Sequence, residues 1–267
     1  MSVVINGTNG VTYNDGSLQS SAPTVGKNRI INGDMRIHQR GGTITMSTGN
    51  YNLDRFFSYT STDGAQTAEQ STETPVGFKN SLKVTTTTAD ASIAAGQRTS
   101  IIHRVEGNNI SDLDWGTSDA KTVTLSFWVR SSITGTHGGA VGNGSDNRAY
   151  PFTYAISSAD TWEKKTITIP GDTTGTWATD NGRSLQIAWG LGVGTTYSGT
   201  AGAWESADRN SATGATTGVI GTLNATWFLT GVQLEIGTTA SNFENLQFGQ
   251  QLTLCQRYYE VIVDGSD

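Results

Sequence analysis

Two-residue alternation is the feature that most restricts this chain. Val123, Leu125, Phe127 and Val129 alternate with Thr124, Ser126, Trp128 and Arg130, and Leu185, Ile187, Trp189, Leu191 and Val193 repeat the pattern. Successive side chains of a strand point to opposite faces, so this spacing predicts strands with an apolar face. Phe228, Val232, Leu234 and Ile236 are expected to share one face of a further strand, and Ser81–Thr88 reads as another. Lys164–Ile169, charged at its start and ended by Pro170, has the marks of an edge strand. Between these lie polar, Gly-rich stretches such as 134–148 and 194–218, expected as loops. Together they predict an all-β sandwich. One helix is expected over 244–259, where Leu252, Cys255 and Tyr259 fall at spacings of three and four, although Gly249 weakens it.

The composition agrees. Of 267 residues, 35% are hydrophobic and only 15% charged, with 33 Gly and 4 Pro, which suits short strands and many turns. The net charge of −6 argues against a sequence-independent nucleic-acid binder, which needs a basic face. No run of about 18 apolar residues exists, so no membrane insertion is expected. Met1–Gly7 lacks a basic start, a long apolar stretch and a cleavage site, so no secretory signal is expected. The single cysteine, Cys255, excludes an intramolecular disulfide framework and a Cys-rich zinc site, and suits a reducing compartment.

Residues 1–26 differ from the rest. Asn14-Asp15-Gly16 is a turn signal between two short strand-like pieces with too few large apolar residues for a core of their own. Pro23 and Gly26 mark a linker. The expected organisation is an N-terminal segment, 1–26, and a β-sandwich head, 27–267.

Catalytic motifs are missing. His38, His103 and His137 lie in no metal or nucleophile motif; the first two read as strand residues and the third as a loop residue. Gly138–Gly144 offers close glycines but no following helix start, so loop geometry explains them better than phosphate binding. Asp112 and Asp114 are the best carboxylate pair, and on a strand would share a face. A solvated loop is the leading reading, a structural calcium site the second and a catalytic pair the third. No other cofactor is expected. Of seven tryptophans, Trp128, Trp189 and Trp227 are expected in the core, because they lie in strands. Trp162, Trp177 and Trp204 sit in polar surroundings and are candidate glycan platforms, since an exposed indole can stack on the apolar face of a sugar.

Several segments resemble bacteriophage virion appendage proteins. Asn32-Gly33-Asp34, Ile37 and Gln39-Arg40-Gly41 are followed by Tyr51 and Asp54-Arg55-Phe56, an order similar to that of phage tail proteins. Where that family usually has an aromatic residue this chain has His38, which points to different packing there. Val123–Arg130 followed by Thr161–Pro170 resembles a strand pair of carbohydrate-binding jelly rolls. Most specific is Gln233-Leu234-Glu235, then Phe243-Glu244, then Cys255-Gln256-Arg257-Tyr258-Tyr259. The resemblance spans about residues 28–260. Val11, Tyr13, Asp15, Gly16 and Leu18 belong to a stretch similar to pieces common in tail fibres, and are the candidate virion-attachment residues.

The resemblance implies a jelly-roll head in a homotrimeric tail fibre. The chain would be assembled in the bacterial host cytoplasm and built into the virion. It would attach to other phage proteins through residues 1–26 and bind host surface glycan without being an enzyme. A capsid-bound head fibre or decoration protein is the alternative, and a glycan depolymerase the less favoured one.

Overall fold

The computed structural model describes residues 26–262 in full and, before them, the backbone of three short strands. These strands, β1 (Val4–Asn6), β2 (Gly10–Thr12) and β3 (Leu18–Gln19), pair as an antiparallel meander, with Ile5 opposite Val11 and Thr12 opposite Leu18. Tyr13, Asp15 and Gly16, between β2 and β3, lie outside the described residues.

From Gly26 onward the chain forms two six-stranded antiparallel sheets around one core. The first sheet has the spatial order β13 (Glu163–Ile169), β10 (Val123–Ser131), β17 (Thr226–Ile236), β8 (Ser81–Thr88), β7 (Ala65–Ser71) and β4 (Ile44–Thr45). The second runs β12 (Ala149–Ile156), β11 (Gly135–Asn143), β14 (Arg183–Val193), β9 (Arg98–Glu106), β6 (Phe56–Thr60) and β5 (Tyr51–Leu53). The chain changes sheet between β4 and β5, β6 and β7, β8 and β9, β9 and β10, β10 and β11, β12 and β13, β13 and β14, and β14 and β17, which is a jelly roll. The alternating residues Val123, Leu125, Phe127, Val129, Leu185, Ile187, Trp189 and Leu191 all lie in the core between the sheets. Two short strands, β15 (Ser198–Gly199) and β16 (Ser211–Ala212), pair in parallel.

Several expectations are corrected. Val193 does not share the face of Leu191, because an irregularity between Gly190 and Gly192 in β14 shifts the register and pairs it with Arg98. The stretch 134–148 is not a loop: most of it is β11, which runs through the middle of the second sheet as far as Asn143. Its glycines serve close approach, since a Cβ on Gly138 would lie 2.2 Å from Ser211 Oγ. His137 is therefore a buried strand residue, whereas His38 lies outside any strand. Phe228 does not share a face with Val232 and Leu234. A bulge at Gly231, with φ of 61°, shifts the register, so Trp227 and Leu229 face the core and Phe228 faces outward. Trp128 lies half-buried on that same outer face, opposite Lys164 and Thr230, because it alternates with the core-facing Phe127.

The edge strand and the helix appear as expected, the helix in shorter form. β13 is an outermost strand, and a short α1 (Gly218–Gly221) precedes β17. The helix α2 (Phe248–Gln256) opens with a reciprocal pair of side-chain caps between Gln247 and Gln250. Cys255 is buried against Ile31 and Ile37, and Tyr259 lies just beyond the helix end. Among the described residues no helix is long and apolar enough to cross a membrane.

Candidate functional site

The carboxylate pair lies at a 3-10 turn rather than on a strand. Asp112 belongs to the turn Ser111–Leu113, and Asp114 follows it in a left-handed conformation. Asp112 pairs with Arg29 at 2.7 Å and Asp114 with Lys121 at 2.8 Å, so each carboxylate is neutralised by its own cation. Among the described residues no three His, Cys, Asp or Glu side chains gather as a metal ion would require.

The structure brings two of the three candidate tryptophans together and corrects their character. Trp177 is buried and packs edge-to-face on Trp115 at 4.6 Å and on Trp204 at 5.7 Å. Trp204 is half-buried, and its indole N–H donates to the Pro170 carbonyl at 2.8 Å. Beneath them Asp172 is fully buried and accepts from Arg148 Nη2 at 2.7 Å and from Trp177 Nε1 at 3.2 Å. Burial alone would raise the pKa of Asp172, but the Arg148 guanidinium and the indole donor outweigh it and hold the carboxyl below its ordinary value. Trp177 is thus a packing residue whose ring faces are covered. Trp162 stands apart, half-buried beside Phe228 at 5.9 Å on the outer face of the first sheet.

The residues that carry the resemblance converge on one layer. Asn32 Nδ2 donates to the carbonyls of Ile37 and Asp54, and the Asp54 carboxylate accepts from the backbone N–H and the amide of Gln39. Arg40 lies over Tyr259 and Arg55 over Tyr258, each 3.5 Å from the ring centre, while Arg257 pairs with Glu106 at 3.0 Å. Asn28 accepts from Leu234 N–H, and Glu244 accepts from the N–H groups of Gly26 and Asn28. Glu235 is held by Gln233 and Ser241. The motifs therefore join residues 26–41 to residues 233–259. Burial, reinforced by the charge of Asp54, pushes the Cys255 thiol up to about 12, which leaves it unreactive.

The second sheet carries a different arrangement on its outer face. One row across the strands is apolar: Phe57 on β6 opposes Ile102 on β9, which opposes Ala188 on β14, with Tyr51 and Tyr59 packed against them. The adjoining row pairs Arg104 with Gln186. Here a small open cleft is lined by Tyr59, Arg98, Arg104, Arg183, Gln186 and Asn210, with Asp146 and Asp208 at its sides. Arg98 is held between Tyr59 and Tyr197, 4.0 and 3.8 Å from the ring centres, and pairs with Asp208 at 2.7 Å. Arg183 pairs with Asp146 at 2.6 Å, and Gln186 donates to the same carboxylate at 2.8 Å. Segment 198–212 reaches this face because Gly138 and Gly190 leave room for Ser211. Apolar ring faces beside fixed planar polar groups are what a polyhydroxylated ligand requires.

None of these cleft residues was singled out from the sequence. One signal was available: Arg104 is a charged residue at an outward position of β9, flanked by Ile101, Ile102 and Val105. No protein-family model matches the sequence, and no curated protein matches it. Solved structures are similar at low identity. The enzymatically active domain of tailspike protein 4 from bacteriophage CBA120 aligns at 10% identity and a TM-score of 0.41, over 79% of this chain and 22% of that one. A family 11 carbohydrate-binding module from Clostridium thermocellum aligns at 12% identity and a TM-score of 0.36, over 75% and 98%. A TmCBM61 module in complex with β-1,4-galactotriose aligns at 8% and 0.36, over 79% and 99%.

Proposed function

We propose that this chain is the non-catalytic, glycan-binding head of a trimeric bacteriophage tail fibre, and that the outer face of the second sheet holds the sugar. The observation that carries the binding half is the cleft itself. Tyr59 offers a half-buried ring, and Arg98, Gln186 and Asn210 are already fixed by neighbours, so binding orders few further side chains. The virion half rests on the resemblance of residues 28–260 and on the N-terminal tail-fibre-like stretch.

The test is a glycan array printed with bacterial surface polysaccharides, probed with the wild-type chain, Tyr59→Ala and Trp162→Ala. The expected result is binding to a subset of glycans, lost in Tyr59→Ala at unchanged melting temperature, with no reducing ends released. Loss in Trp162→Ala alone moves the site to the first sheet. Binding to no glycan overturns the reading, and release of reducing ends makes the chain a depolymerase.

A further inference from the structure

The cleft is electrostatically unbalanced. Three arginines line it against two aspartates, on a protein whose net charge is −6. Two of the arginines are paired within 3 Å, Arg98 with Asp208 and Arg183 with Asp146. Arg104 has no carboxylate partner among the described residues. Its guanidinium lies 4.3 Å above the Phe57 ring, and its Nε is buried with no hydrogen-bond partner among the described residues.

The surroundings compensate that charge only in part, through the nearby carboxylate of Asp146. Burial, together with the like charge of Arg183, pushes the Arg104 pKa below the ordinary arginine value. The group stays cationic at neutral pH, because arginine loses its proton only under strongly basic conditions. The Arg104 guanidinium, 4.3 Å from the Phe57 ring centre, is the kind of group that receives a carboxylate through charge-assisted hydrogen bonds. Beside it, Gln186 and Asn210 are amides suited to hydroxyls, and Tyr59 supplies an aromatic ring.

We infer that the glycan taken by this cleft is acidic, and that Arg104 receives the carboxylate of a uronic-acid-type sugar. The inference rests on the glycan-binding reading of the same cleft and adds the ligand's charge to it. A neutral sugar offers Arg104 only hydroxyl acceptors, whereas a carboxylate supplies both acceptors and a countercharge.

The experiment is an NMR titration of the full chain that follows the arginine Nε–H signals, with Arg104 assigned through Arg104→Lys. The probes are glucuronate, its uncharged methyl ester, glucose and inorganic phosphate. Glucuronate is expected to move the Arg104 signal. The ester and glucose are expected to bind roughly tenfold more weakly or worse, in line with the worth of a hydrogen bond to a charged group. Arg104→Gln is expected to erase the difference between glucuronate and its ester while leaving the melting temperature unchanged, and Arg104→Lys to restore part of it. Equal binding of ester and glucuronate, sensitive to Tyr59→Ala but not to Arg104→Gln, overturns the acidic-glycan inference and leaves the glycan reading standing. Phosphate binding as well as glucuronate makes the cleft a plain anion site and overturns both. No response of the Arg104 signal to any probe overturns the inference, and the array then judges the glycan reading separately.

Discussion

His103 shows how a single side chain can tie stability to pH. It is fully buried on β9, edge-on to Phe56 at 4.9 Å, with Nε2 3.2 Å from the Ile31 carbonyl. In that pairing the neutral ring donates its Nε2–H. Burial, with the nearby charge of Arg55, pushes its pKa down to about 3 from an ordinary 6.5. In the unfolded chain the ring takes up a proton below 6.5, while in the folded chain it stays neutral until about pH 3. Its contribution is therefore complete above pH 6.5 and is lost as pH falls towards 3, at up to about 1.4 kcal/mol per pH unit. His137 is shifted in the same direction by burial and adds the same sign. Asp172, with its lowered pKa, adds to the loss only below the ordinary carboxylate value of 3.8. Urea titrations at pH 7, 6 and 5 are expected to show falling stability. Replacing His103 and His137 together by Asn is expected to flatten the profile in that window, whatever the double variant does to absolute stability. An unchanged slope would remove the two histidines from the explanation.

At the scale of elements, what could be read in advance depended on whether a strand's neighbours obey the same period. β10 and the stretch of β14 from Leu185 to Trp189 alternate cleanly, and their inward residues were legible because one buried face imposes a period of two; the irregularity between Gly190 and Gly192 takes Val193 out of that pattern. β17 defeats that reading at Gly231, where one extra residue reverses the pattern and sends Phe228 outward. β11 was hidden for a different reason. Its glycines match the composition of a loop, and only tertiary contacts explain them: Gly138 makes room for Ser211, and Gly139 for Phe152 and the Ala188 carbonyl. The cleft was illegible because its residues come from β6, β9, β14 and two connections, brought together by strand pairing rather than by sequence spacing. Gly138 tests this account. A methyl group there would also lie 2.8 Å from the Ala212 backbone nitrogen, so Gly138→Ala must displace β16 and the chain leading to it. The expected outcome is a loss of about 1–3 kcal/mol in unfolding free energy. Because Asp208 and Asn210 lie on the displaced segment, weaker glycan binding should accompany it. Full stability in the variant would show that segment 198–212 is not held by close packing at this point.

At the scale of the whole molecule, the question is what the N-terminal segment adds to a head whose ends are already tied together. Gly26 N–H donates to Glu244 at 2.7 Å, and Asn28, Gln39 and Arg40 bond to residues 232–259, so the junction is secured from Gly26 onward. The strands before it are two or three residues long, and a meander of that size has too few pairings to be independently stable in water. In the fibre reading, copies of this segment associate around a threefold axis and complete one another. A chain lacking residues 1–25 is then expected to keep the melting temperature of the head. Its native mass should fall from that of a trimer to that of a monomer, lighter by its missing 25 residues than the 28.3 kDa full chain, checked by light scattering. Binding to a polymeric glycan should weaken far more than binding to a short oligosaccharide, because only the polymer gains from three linked heads. A trimer that survives the truncation would move the contact to the head or to α2, whose Phe248 and Leu254 are exposed. A full-length chain that is already monomeric would favour a decoration protein carrying the same head.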